Sequence, residues 1–97
     1  MAGKYKYICF CELSPKGNAL SPEKWKEFFE KEDKLAEKHG VKIVFRGTPF
    51  GVSEDYVTVY KTDKNIDELM QMIMKSGRNE YVKSARTLTV TPLIFPE

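Results

Sequence analysis

The sequence is poor in most of the residues that announce a reaction. It holds two cysteines and one histidine in 97 residues. A structural zinc site wants four ligands, usually in paired Cys-x-x-Cys-like spacings. Here Cys9 and Cys11 stand one residue apart inside a strand pattern, and only His39 is left to join them. No metal and no cofactor are therefore expected. The two thiols also make a poor disulfide, because residues i and i+2 of an extended strand have Cα atoms near the upper limit for bridging. Both are read as reduced thiols, the small core-like side chains of a cytoplasmic protein. Long apolar runs are absent, so no membrane-spanning helix is expected. The opening Met1-Ala2-Gly3-Lys4-Tyr5-Lys6 lacks the apolar core of a signal peptide. Charge of one sign is lacking too: 16 basic and 14 acidic residues are interspersed and leave a net charge of +2. A nucleic-acid binder usually concentrates its positive charge, so this balance argues against one.

What is present is the composition of an ordinary globule. With 41% hydrophobic and 31% charged residues, 1–97 reads as a single domain. The most informative stretch is Asp55-Tyr56-Val57-Thr58-Val59-Tyr60-Lys61. Its alternation of Val against Tyr and Thr predicts a strand with two unlike faces. Lys4 to Leu13, Val41 to Arg46 and Ser84 to Thr91 carry period-two patterns as well. Ser21-Pro22-Glu23 opens a helix with an N-cap, a proline at the first helical position and an acid against the dipole. Trp25, Phe28, Phe29, Leu35, Ala36 and His39 share its apolar stripe, Glu32 interrupts that stripe, and Gly40 ends the helix. A second helix begins at the capping-box pair Asn65 and Glu68, buries Ile66, Leu69, Met70 and Ile73, and stops near Gly77. Ser14 to Asn18 reads as a turn cluster and 47–54 as a long hairpin connection. The stretch 78–83 is ambiguous, with room for a short helical turn, and Leu93-Ile94-Phe95 is an extended tail between prolines.

Strand–helix–strand, repeated, predicts an α+β, ferredoxin-like βαββαβ domain. Its antiparallel sheet has four strands, both helices on one face, and the first and third strands at the centre. The simplest sidedness gives the helices the aliphatic members: Ile8, Phe10, Ile43, Phe45, Val57, Val59, Leu88 and Val90. Tyr7, Cys9, Cys11, Val44, Arg46, Tyr56, Thr58, Tyr60, Thr87 and Thr89 then face away. A bare face of that kind is too apolar for water and calls for a cover. A second copy of the sheet would serve, and so would stacked, unpaired bases.

Particular segments resemble the dimeric α+β-barrel superfamily, which includes small monooxygenase-type and EthD-like domains. They are the strand–helix–strand order, the aromatic Trp25-Lys26-Glu27-Phe28-Phe29 running on to Lys38-His39-Gly40-Val41, and Gly47-Thr48-Pro49-Phe50-Gly51 ahead of Glu54-Asp55. The likeness extends from Tyr5 to Pro92. It implies a homodimer in which two sheets meet face to face, each protomer keeping a pocket within the barrel or between its sheet and helices. Members of that superfamily range from cofactor-free oxygenases to haem proteins, and no shared catalytic motif stands in this sequence.

The resulting expectation is a small homodimer whose aromatic-lined pocket takes a small apolar or semi-polar molecule. Tyr7, Arg46, Tyr56, Tyr60 and Thr89 are the candidate ligand-binding residues. If the protein is an enzyme, a cofactor-free oxygenase or isomerase fits best, with Glu32 or His39 moving the proton. Plainer roles stand beside these. An imidazole at a helix C-terminus suits the dipole, a glutamate stem snorkels to solvent, and Arg46 with Lys42 would blunt a sheet edge. An acylphosphatase-like site would need an arginine in the loop after the first strand, where Lys16-Gly17-Asn18 offers none. Two alternatives complete the set: a non-catalytic interaction or assembly module, and RNA binding through tyrosines displayed on the central strands. The third strand lacks the basic-glycine-aromatic signature of RNA-recognition domains, and Glu54-Asp55 has the wrong sign for phosphates.

Overall fold

Side-chain caps set the helix boundaries. In the structure, a computed structural model that describes residues 5–93, Ser21 accepts a hydrogen bond from the Lys24 N–H and Pro22 begins the longest helix. Asn65 and Glu68 close the full reciprocal box at the other helix, Glu68 N–H to Asn65 at 2.9 Å and Asn65 N–H to Glu68 at 3.3 Å. Gly40 and Gly77 follow the two helices with φ of +72° and +80°, the left-handed conformation that glycine adopts without strain.

The elements are β1 (Tyr5–Leu13), α1 (Pro15–Asn18), α2 (Pro22–Lys38), β2 (Lys42–Gly47), β3 (Tyr56–Thr62), α3 (Ile66–Lys75), a 3-10 turn (Arg78–Glu80) and β4 (Val82–Val90). The sheet runs β2-β3-β1-β4 with every neighbouring pair antiparallel. This is the expected α+β, ferredoxin-like arrangement, with β1 and β3 at its centre. Lys4, Ile94 and Phe95, assigned above to the first strand and the tail, lie outside the described residues. Among the described residues no helix is long and apolar enough to cross a membrane.

One short helix stands where only a turn was expected. Ser14-Pro15 repeats the capping chemistry of Ser21-Pro22: Ser14 accepts from the Gly17 N–H and Pro15 starts the four-residue α1. Gly17 is required there for space, since a Cβ would fall 2.2 Å from the Tyr81 carbonyl oxygen. Together with the Ser14 N–H to Tyr81 carbonyl bond of 2.9 Å and the Lys16–Glu80 ion pair, that contact anchors the end of the 3-10 turn.

The sidedness of the sheet is the reverse of the expectation. Tyr7, Cys9 and Cys11 of β1 and Thr58, Tyr60 and Thr62 of β3 are buried in the core that Ala36, Leu69, Met72 and Ile73 share. The facing helix side chains are bulky, so the central strand positions beneath them are filled by small thiols and by groups that can hydrogen-bond. The aliphatic set looks the other way. Ile8, Phe10, Val57 and Val59 are half-buried, and Phe45, Leu88 and Val90 are exposed. In β2 the register shifts between Ile43 and Phe45, which leaves Val44 as an extra residue. Ile43 therefore pairs with Tyr60 on the helix side as expected, Phe45 pairs with Val59 on the open side, and Arg46 pairs with Thr58 and turns inward. Met72, missed in the stripe of α3, is buried beside Leu69 and Ile73.

Candidate functional site

Two buried charges organise the layer between sheet and helices. The first is Glu32, 1% exposed on the inner stripe of α2. Because of the extra residue in β2, Arg46 reaches under the helix and donates from Nη2 to Glu32 Oε1 at 2.7 Å, while its Nη1 meets Asp33 at 2.9 Å. Tyr60 of β3 donates its hydroxyl to Glu32 Oε2 at 3.2 Å. The Arg46 guanidinium also lies over the Phe29 ring, 4.3 Å from its centre. Burial works against the charge of Arg46, but hydrogen bonds and charge from Glu32 and Asp33 outweigh it and raise its pKa. Burial, with the negative charge of Glu32 adding to it, pushes the Tyr60 phenol well above its ordinary value. Tyr60 thus stays protonated and works as a hydrogen-bond donor to Glu32. Glu32 was expected to snorkel or to act alone; instead it is clamped by an arginine and a phenol.

The second buried charge is Arg78, 6% exposed in the 3-10 turn. Its Nη1 lies 3.1 Å from Cys9 Sγ, and Thr87 of β4 approaches the same sulfur with its hydroxyl at 3.3 Å. Cys11 Sγ is 3.8 Å from Cys9 Sγ. The Nε atoms of Arg78 and Arg46 are buried without a hydrogen-bond partner. The hydrogen bond from Cys11 and the charge of Arg78 pull the Cys9 thiol down to about 6, while the same bond and burial push Cys11 up. The two sulfurs share one hydrogen bond, so their protons are coupled.

The remaining candidates spread out around these two centres. Tyr7 is buried and donates its hydroxyl to the Lys64 carbonyl at 2.9 Å. Tyr56 packs edge-on against Trp25 and Phe29, and burial raises its phenol, with Cys11 and Glu32 contributing. Thr89 is exposed on the edge strand β4. His39 caps α2, its N–H bonded to the Leu35 and Ala36 carbonyls at 3.1 Å, about two helical turns beyond Glu32. The structure therefore joins Glu32, Arg46 and Tyr60 and leaves Tyr7, Tyr56, Thr89 and His39 outside that group. Among the described residues no cluster of three or more His, Cys, Asp or Glu side chains is placed to hold a metal ion. An open groove of about 610 Å³ runs between the C-terminal half of α2 and β2, with Ala36, Val41, Ile43 and Phe45 as its apolar wall and Asp33, Glu37 and Arg46 at its rim.

Sequence reasoning missed Arg78. Its one signal was position, a lone arginine directly after the glycine that stops α3, in the stretch whose structure was ambiguous.

No protein-family model matches the sequence, and no curated protein matches it. Solved structures do match in fold. A protein of unknown function from Rhodopseudomonas palustris is 18% identical with a TM-score of 0.61, over 97% of this chain and 85% of that one. A mutant chlorite dismutase from Candidatus Nitrospira defluvii is 13% identical with a TM-score of 0.66, over 92% of this chain but only 40% of that one. A dimeric ferredoxin-like protein of unknown function from Thermobifida fusca is 12% identical with a TM-score of 0.55, over 91% of this chain and 90% of that one. Likeness at these identities is likeness of fold. The fold is the ferredoxin-like α+β fold, and no particular family is singled out.

Proposed function

We propose that this chain works as a homodimer, its two sheets packed face to face as an α+β barrel, and that each protomer binds a small semi-polar molecule at the α2–β2 groove. The observation that carries the pairing is the open face of the sheet. Phe45, Val59, Ile8 and Leu88 form one cross-strand row, with Val57, Phe10 and Val90 beside it. No helix of this chain covers them, and contiguous apolar surface of that extent marks an interface. One flanking row is basic, with Lys42, Lys61 and Lys6 side by side across three strands, and the opposite end carries Glu12. Phe50, 93% exposed in the hairpin between β2 and β3, extends the apolar surface available to a partner.

The groove supports the ligand half of the proposal. Its apolar wall suits a hydrocarbon body, and Arg46, already neutralised by Glu32 and Asp33, suits a neutral polar end better than an anion. Stacking of bases on Tyr7, Tyr56 and Tyr60 loses its platform, because all three lie on the helix side. Sedimentation velocity tests the pairing: a dimer at micromolar concentration is expected, and a monomer throughout would overturn it. Native mass spectrometry of the purified protein tests the ligand through a bound mass that is lost in Ile43→Asp.

A further inference from the structure

Arg78 is a guanidinium 6% exposed, yet among the described residues no carboxylate comes within ion-pairing distance of it. Stranding a charge in a protein interior is costly enough that some neighbour must offset it. The neighbour in contact is Cys9 Sγ, at 3.1 Å. The other groups around the pair do not compete for this role. Cys11 on β1 and Thr87 on β4 lie within hydrogen-bonding distance of the sulfur, Tyr56 and Tyr60 on β3 are phenols held protonated, and Glu32 on α2 is committed to Arg46 and Tyr60. From α3 the buried side chains are Leu69, Met72 and Ile73, which do not titrate.

From this geometry we infer that Cys9 is a thiolate paired with Arg78, and that it is a site of oxidation by hydrogen peroxide or a similarly small, neutral hydroperoxide. The inference is independent of how the sheets pair, because Cys9 lies on the helix side. A thiolate held by a fixed cation, with a hydroxyl donor beside it, is the form that reacts with peroxide. Cys9 is 0% exposed, which excludes bulky reagents. On the β4 side of the sulfur Thr87 is half-buried and its inward neighbours Ala85 and Thr89 are exposed, so a small molecule would enter along that edge. In the reaction the sulfur attacks one peroxide oxygen, an S–O bond forms and the O–O bond breaks. Sulfur loses two electrons to become sulfenate, still paired with Arg78, and the departing oxygen takes the remaining proton and leaves as water. Cys11, two residues along the same strand, is poorly placed to bridge to it, so the sulfenate persists.

The test uses reduced, full-length protein, hydrogen peroxide, and a bulky aromatic disulfide as the second reagent. After the peroxide is removed the protein is unfolded in denaturant containing a 1,3-dione, which traps the sulfenic acid for mapping by mass spectrometry. Oxidation at Cys9 at a rate proportional to peroxide, with the bulky reagent excluded, is expected. In Arg78→Met the rate at pH 7 should fall by roughly 30-fold, the ratio of an ionised thiol to one with the free value near 8.5. Both reagents reacting at one shared rate, independent of concentration, would mean that Cys9 is an inert core thiol reached only by unfolding. An unchanged rate in Arg78→Met would sink the pairing. If that variant does not fold, the ultraviolet thiolate absorbance of Cys11→Ser decides. Absorbance that persists well below pH 8 supports the thiolate, and a midpoint at the free value or above overturns it.

Discussion

The two faces of the sheet contradict their own chemistry. The side under the helices carries hydroxyls and thiols, and the side without helices carries valine, isoleucine, leucine and phenylalanine. In an isolated domain the assignment would be reversed. The difference teaches that the helices of this chain do more for its sheet than cover it with apolar side chains such as Leu69, Met72 and Ile73. They bring two charges inward, Glu32 and Arg78, and the inner strand positions are chosen to satisfy them.

Several substitutions would break or sharpen that contrast. On the inner face, Glu32→Ala takes away the buried partner of Arg46, leaving it Asp33, and removes the acceptor of Tyr60. A loss of about 3–5 kcal/mol is expected, read from the urea midpoint. On the outer face, Val59→Lys should leave the far-ultraviolet circular dichroism spectrum intact while weakening the dimer by about 100-fold, seen as monomer in sedimentation. An equal loss of fold in both variants would show that the open face belongs to the core of the protomer. Tyr60→Phe removes one donor and keeps the ring, so the expected cost is about 1 kcal/mol.

Solution pH is a further lever on the same contrast. The Cys9 thiol stands at about 6 in the folded chain against an ordinary 9.0. A depressed acid stabilises the fold above its unfolded value, and that contribution is lost as pH falls through the folded one. Between these limits the unfolded chain binds more protons, so stability should rise with pH from about 6 to 9, and Cys9→Ser should flatten that slope. Cys11, pushed upward, has the opposite sign, and its contribution fades above its ordinary 9.0. Denaturant midpoints at three pH values would measure both.

The fold was legible from local signals. Ser21-Pro22, Asn65 with Glu68, Gly40 and Gly77 act within a turn of where they stand, so the sequence displays them directly. The sheet's sidedness was not. Period-two alternation says that two faces differ and says nothing of which faces the helices, and aliphatic residues are drawn to whichever side excludes water, including a partner's. Glu32 was legible as an anomaly on an apolar stripe, and Tyr60 and Arg46 as polar strand residues. Their meeting was not, because it depends on the irregularity at Val44. Arg78 was hidden more deeply, since an arginine after a helix stop is ordinarily a solvated one.

That irregularity has a consequence for chain length. With Val44 present, strict alternation through β2 would put the Phe45 ring against Glu32 and the Arg46 charge in the greasy face; the kink averts both. A protein lacking Val44 altogether would alternate without interruption from Ile43 through Phe45 to Arg46 and keep each in its present direction. Deletion, elsewhere in a strand the harshest of changes, should here be nearly silent, while inserting one more residue at that point should not.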